Sequence, residues 1–198
     1  AFCAGADLSR GTGTFGNDLD EPTSAFGRLA RQVRAFGKPI VGRVNGACMA
    51  GGMGLLAMCD LAIAADHARF GLPEAKVGVF PMQVLIYLRQ IMLPRHLAEL
   101  CLTGDPIDAA SAKAMGLVNE VVPADKLDAA VVALLKRLAA NSPVALRRGK
   151  YALATIESMT FEQGIAFAES QIALAARTDD AREGLAAFNE KRPAEFAR

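Results

Sequence analysis

The stretch from Pro39 to Ala65 constrains the fold of this chain more than any other. Pro39-Ile-Val-Gly-Arg-Val44 is a short apolar run closed by an Asn45-Gly46 turn, the pattern of a buried strand. From Gly51 to Met58 small residues lead into Leu55, Leu56 and Met58, which predicts a buried helix whose N-terminus points back at that turn. Leu61 to Ala65 then returns as a second apolar strand, and Ala68 to Gly71 as a third. Strand, helix and strand in this order predict a right-handed βαβ crossover.

Such a unit needs neighbours to cover it, and the chain supplies them. Its 198 residues are 52% hydrophobic, enough for one sizeable core. Past Pro81 the periodicity is helical over residues 82–92, 94–103, 108–115, 124–140, 142–155, 160–176 and 178–190, with one strand at 118–122. Asp108 precedes the first turn of its helix, and Thr160 with Gln163 fits a capping box. Before the crossover, Phe26, Leu29, Ala30, Val33 and Phe36 recur at helical spacing, and Gly37-Lys38-Pro39 ends that helix. Ala1 to Cys3 read as the tail of a strand entering a turn at Gly5. Ser9 to Thr23, with Gly11, Gly13, Gly16 and Pro22, read as a long mobile surface loop.

Composition removes several function classes. Lys plus Arg number 22 and Asp plus Glu 21, and no long block of one sign offers a phosphate-tracking surface, so nucleic acid is not an expected partner. No apolar run reaches the length of a membrane span and no signal-peptide layout opens the sequence; a soluble cytoplasmic protein, with no membrane partner, is expected. The four cysteines are far apart, without a C-x-x-C pair, and read as reduced thiols; no metal ligand set stands out. Gly11-Thr-Gly-Thr-Phe-Gly16 has dinucleotide-loop spacing but lacks the flanking strand and helix that would give it meaning.

Two turns place backbone N–H groups where a ligand could meet them: Ala4-Gly-Ala-Asp7 and Ala50-Gly-Gly-Met-Gly54. Glycine permits close approach, and a helix start leaves amides unpaired. For either turn alone, close packing of helix on sheet is the favoured reading. Taken in their wider context, Ala1 to Leu8, Asn45 to Asp60 and Phe70-Gly-Leu-Pro-Glu-Ala-Lys-Val-Gly78, continued by Leu102-Thr-Gly-Asp105, Ala110 to Val122, Thr178 to Gly184 and Phe188 to Arg192, resemble the crotonase (enoyl-CoA hydratase/isomerase) superfamily in order and spacing over essentially the whole chain.

The resemblance implies an α/β fold: a crotonase-like ββα spiral over residues 1–122, its N-terminal strands missing, and a C-terminal helical region over 123–198 that drives assembly of a homotrimer or hexamer. It implies that the amides of Ala6 and Gly51 hold a thioester oxygen while Glu74 moves protons. It also implies that Ala4, Asp7, Leu72, Phe80 and Met82, with Val79, line the acyl-CoA site, and that Phe188 and Lys191 meet coenzyme A, often across subunits. The substrate expected is an acyl-CoA thioester, with no cofactor beyond the coenzyme A it carries. Hydratases of the family usually have a second glutamate on the helix after the glycines, where this chain has Gly54. Hydration of a 2-enoyl-CoA is the leading reading. Δ3,Δ2-isomerisation by Glu74 alone is the alternative, and a non-catalytic acyl-CoA- or RNA-binding scaffold is the rival from another class.

Overall fold

The computed structural model describes residues 1–16 and 20–196, the side chains of Arg10 and Phe15 apart. They form two compact units, Ala1–Val33 with Ile40–Ala133, and Arg34–Pro39 with Leu134–Arg198.

The first unit contains the crossover. Strand β1 (Val41–Val44) lies parallel to β3 (Leu61–Ala65), with helix α2 (Gly51–Ala57) between them in sequence, and β6 (Glu120–Val122) extends the sheet on the far side of β3, also parallel. A second sheet holds β2 (Cys48–Met49), β4 (Arg69–Gly71) and β5 (Ile107–Asp108). In it β2 runs parallel to β4, β5 runs antiparallel to β4, and Cys3 makes a parallel bridge to Cys48. Around these lie α1 (Ala25–Ala35), α3 (Leu85–Ile91), α4 (Pro94–Thr103) and α5 (Ala109–Ala114). Val44, Met53, Leu56, Phe70, Leu72, Leu88 and Leu100 make a continuous buried core. Each large side chain there contributes about 1.5–3 kcal/mol by leaving water.

Helix ends follow the side chains written for them. Asp108 accepts the Ser111 amide at 2.8 Å and starts α5. Gly104 closes α4 in the left-handed region that glycine enters without cost. Helix α6 (Leu127–Ala139) ends in the second unit, which continues with α7 (Pro143–Ile156), α8 (Phe161–Ala175) and α9 (Asp179–Glu190). Thr160 and Gln163 form the capping box that opens α8. Ser142 caps α7 by accepting the Ala145 amide, and its hydroxyl donates to buried Asp180 at 2.5 Å, which ties α7 to α9.

The sequence reading needs correction in three places. Leu8–Phe15 is a run of 3-10 helix, capped by Asp7 and kinked at Gly11, where a loop was expected from Ser9; residues 20–23 of that expected loop are turn and bend, and 17–19 lie outside the described residues. The helix expected from residue 82 starts at Leu85, because residues 82–84 are a turn. Strands β2 and β5 had no counterpart in the reading, since two residues carry no period. Among the described residues no single helix is long and apolar enough to cross a membrane.

Candidate active site

The glycine turns meet because their side chains are absent. Met49 donates its amide to the Cys3 carbonyl at 2.9 Å, which lays residues 3–5 along residues 49–52. A Cβ on Gly52 would stand 2.6 Å from the Cys3 oxygen, and one on Gly5 2.9 Å from the Ala50 Cβ, so both contacts require glycine. Gly5 also has φ 99, a conformation that favours glycine. Ala50 has φ 52 and ψ −122, in a region an alanine rarely occupies. Its amide donates to Gly71 and its carbonyl accepts from Met53, each at 2.9 Å, and these bonds hold the bend. Immediately after it, Gly51 opens α2, and Ala6 follows Gly5 on the adjoining segment. Neither the Ala6 nor the Gly51 amide has an acceptor among the described residues.

Glu74 sits in a 3-10 turn, Pro73–Val77, that leaves β4 directly after the buried anchor Leu72. Gly78 closes the turn with φ 79, returning its amide to the Ala75 and Glu74 carbonyls. One carboxylate oxygen, Oε2, is buried without a hydrogen-bond partner. Burial pushes the Glu74 carboxyl above the ordinary glutamate range, and a bond from its own backbone amide opposes this in part. Helix α4 packs on the same turn. Its Cys101 thiol is pushed up first by burial and then by the nearby Glu74 charge. Cys101 also lines a cavity of about 310 Å³, walled by Phe80, Leu85, Met92 and Leu97 among others, and Glu74 is not on that wall.

The position where family hydratases carry a further glutamate is closed. A Cβ on Gly54 would be 2.6 Å from Val84 Cγ1 and 2.7 Å from Phe26 Cζ. Those two side chains fill the volume a longer residue would need, so Gly54 is a packing glycine as well as a missing carboxylate.

The first unit holds Ala4, Ala6, Asp7, Gly51, Leu72, Glu74, Phe80 and Met82. Ala4 is exposed; Asp7 is occupied as a cap, its carboxyl held below the usual range by the Ser9 amide. Leu72 has no exposed surface and acts on the site by anchoring the Glu74 turn, whereas Met82 is exposed. Phe188 and Lys191 belong to the second unit, where Phe188 is 80% exposed on α9 and Lys191 closes that helix with φ 56. Sequence reasoning did not single out Cys101, Arg89, Phe26 or Val84 for the site. A one-helix-turn periodicity shared by Cys101 and Leu97 was the available signal, and it reads equally as core.

Two unpaired amides on abutting turns can polarise a carbonyl, and a carboxyl whose proton is held by burial can take up and return a proton. The enoyl-CoA hydratase/isomerase family profile matches residues 1–198, and the chain belongs to that family. The 2,3-dehydroadipyl-CoA hydratase of Escherichia coli K12 is 34% identical over 206 residues, covering 98% of this chain and 76% of its own length. Among solved structures, an enoyl-CoA hydratase subunit of Geobacillus kaustophilus superposes with TM-score 0.89 at 32% identity, over 100% of this chain and 76% of that one. The enoyl-CoA hydratase of Bacillus anthracis superposes with TM-score 0.85 at 31% identity, over 99% and 76% respectively.

Proposed function

We propose that this chain is an enoyl-CoA hydratase-like enzyme that adds water to a 2-enoyl-CoA with Glu74 as its single acid–base side chain. The observation that carries this reading is the buried, unpartnered Oε2 of Glu74, whose carboxyl burial holds above the ordinary glutamate range. The thioester oxygen accepts from the Ala6 and Gly51 amides, each such donor contributing about 3–4 kcal/mol as negative charge builds on it. Glu74 takes a proton from water as the oxygen bonds to C3, and the same carboxyl returns a proton to C2 as the enolate collapses.

Packing of Val84 and Phe26 around Gly54 favours a second reading, Δ3,Δ2-isomerisation. Glu74 then removes a proton from C2 of a 3-enoyl-CoA and delivers it to C4, and the double bond moves into conjugation without water. One assay separates the two: 2-enoyl-CoA and 3-enoyl-CoA are offered separately while the conjugated thioester absorbance is followed. Hydration bleaches the first, isomerisation raises the signal of the second, and no change in either overturns both readings. Phe188 and Lys191 are proposed contacts for coenzyme A in a homotrimer.

A further inference from the structure

Two buried side-chain atoms lack a hydrogen-bond partner among the described residues: Glu74 Oε2, which the enolate site uses, and Arg148 Nε, which it does not. A guanidinium N–H hidden from water without an acceptor is unfavourable, and a ligand that supplies the acceptor relieves it. Arg148 borders a second cavity, of about 490 Å³, formed within the second unit by residues 34–37, α7 and Gln171 of α8. Arg147, Arg148, Lys150 and Tyr151 share one side of α7, within about 160° of arc at 100° per residue. The cavity carries four cationic side chains, Arg34, Arg147, Arg148 and Lys150, and among the described residues no acid.

These cations are only partly neutralised. Arg34 pairs with Glu157 at 3.5 Å and donates to the Ala154 carbonyl at 2.5 Å. Lys150 donates to the Lys38 carbonyl at 3.0 Å, with its ammonium 5.8 Å from the centre of the Phe36 ring. Arg148 gives Nη2 to the neutral Gln171 Oε1 at 3.2 Å, and neither it nor Arg147 has a carboxylate partner among the described residues. Arg147 is nevertheless placed. A Cβ on Gly37 would stand 2.9 Å from its Cγ, so the side chain crosses residue 37 where glycine leaves room for it.

We propose that this cavity is an anion site that takes a small molecule bearing a di- or polyphosphate group. It shares no residue with the Ala6, Gly51 and Glu74 arrangement and rests on no step of the enolate chemistry. An anion of more than one negative charge offsets the mutual repulsion of the guanidiniums, which a single carboxylate does only in part. Arg148 offers its Nε–H to one phosphate, and the planar fork of Arg147 pairs two oxygens of the next. The volume exceeds that of a lone phosphate and falls in the range of organic ligand sites.

The test is calorimetric titration of the full chain with inorganic pyrophosphate in about 0.1 M chloride, which screens scattered surface charge. One saturable site is expected. Arg148→Gln and Arg147→Gln should each weaken it at least about tenfold, and Arg148→Lys, which keeps the charge and loses the Nε–H, should not restore it. Arg147 is exposed, so its variant reports on the site even where Arg148→Gln fails to fold. Arg137→Gln, exposed on α6, removes one charge elsewhere and should bind as the parent does. Butyryl-CoA should leave the pyrophosphate affinity unchanged, and citrate should bind more weakly than pyrophosphate. No saturable binding to the parent, an equal loss in Arg137→Gln, citrate bound as tightly, or displacement by butyryl-CoA overturns the proposal.

Discussion

Replacing Gly52 with alanine tests how the two amides are held together. The added methyl would stand 2.6 Å from the Cys3 carbonyl oxygen and 2.8 Å from the Cys3 Cβ. A carbon and an oxygen normally approach to about 3.3 Å, so segment 3–5 must retreat from α2 by roughly 0.7 Å. Neither partner is a flexible side-chain end, and Gly52 is buried, so backbone has to move. Overpacking of this kind costs about 1–3 kcal/mol, more than the at most about 1 kcal/mol that alanine returns as a better helix former. The retreat also carries Ala6 away from Gly51. Donor geometry tolerates about 0.5 Å, and a loss of alignment near 1 Å costs on the order of 100-fold in rate. The expected result is a kcat lower by about 10- to 100-fold with a Tm lower by several degrees, read by enoyl-CoA turnover and thermal unfolding. Gly51→Ala is the control, because its Cβ meets nothing within 4 Å and its stability should match the parent's. A Gly52→Ala variant with parental kcat and Tm would refute the reasoning.

Glu74→Gln should lower kcat by at least about 100-fold while acyl-CoA still binds, and should abolish the acid limb of kcat/KM, whose midpoint lies above the ordinary 4.5. Because the folded carboxyl holds its proton more tightly than the unfolded one, its favourable contribution is complete below pH 4.5 and is lost as pH rises through the folded value. Stability of the Gln variant measured across that window should therefore decline less. Gly54→Ala should destabilise by about 1–2 kcal/mol through Val84 and Phe26, with Val84→Ala in the same chain restoring part of it in a denaturant titration. Asp180→Ala should cost about 1–3 kcal/mol by stranding the buried Ser142 hydroxyl, and hydrogen exchange in α7 and α9 reads the loss.

Much of this fold was legible because its helix ends are spelled in side chains. Asp108, Thr160, Thr178 and Gly104 each do locally what their residue types favour, so α4, α5, α8 and α9 could be bounded before any coordinates. Strand β2 could not be, since its two residues owe their conformation to Phe70 and Gly71 across the sheet. At the site, Glu74 was singled out through the family resemblance that its flanking residues carry. Its stranded oxygen was not legible, because burial of a single atom depends on packing between segments that sequence spacing does not show. The plug at Gly54 was hidden for the same reason: Phe26 precedes it and Val84 follows it by about thirty residues each.

Ala50 sets folding against turnover at a single bond. A glycine there would relieve about 1–3 kcal/mol of backbone strain, offset in part by a freer unfolded chain. It would also let the peptide between residues 50 and 51 swivel, and the Gly51 N–H would lose its fixed aim. Selecting variants for heat resistance alone should therefore drift toward glycine at position 50 and return well-folded chains that turn over slowly.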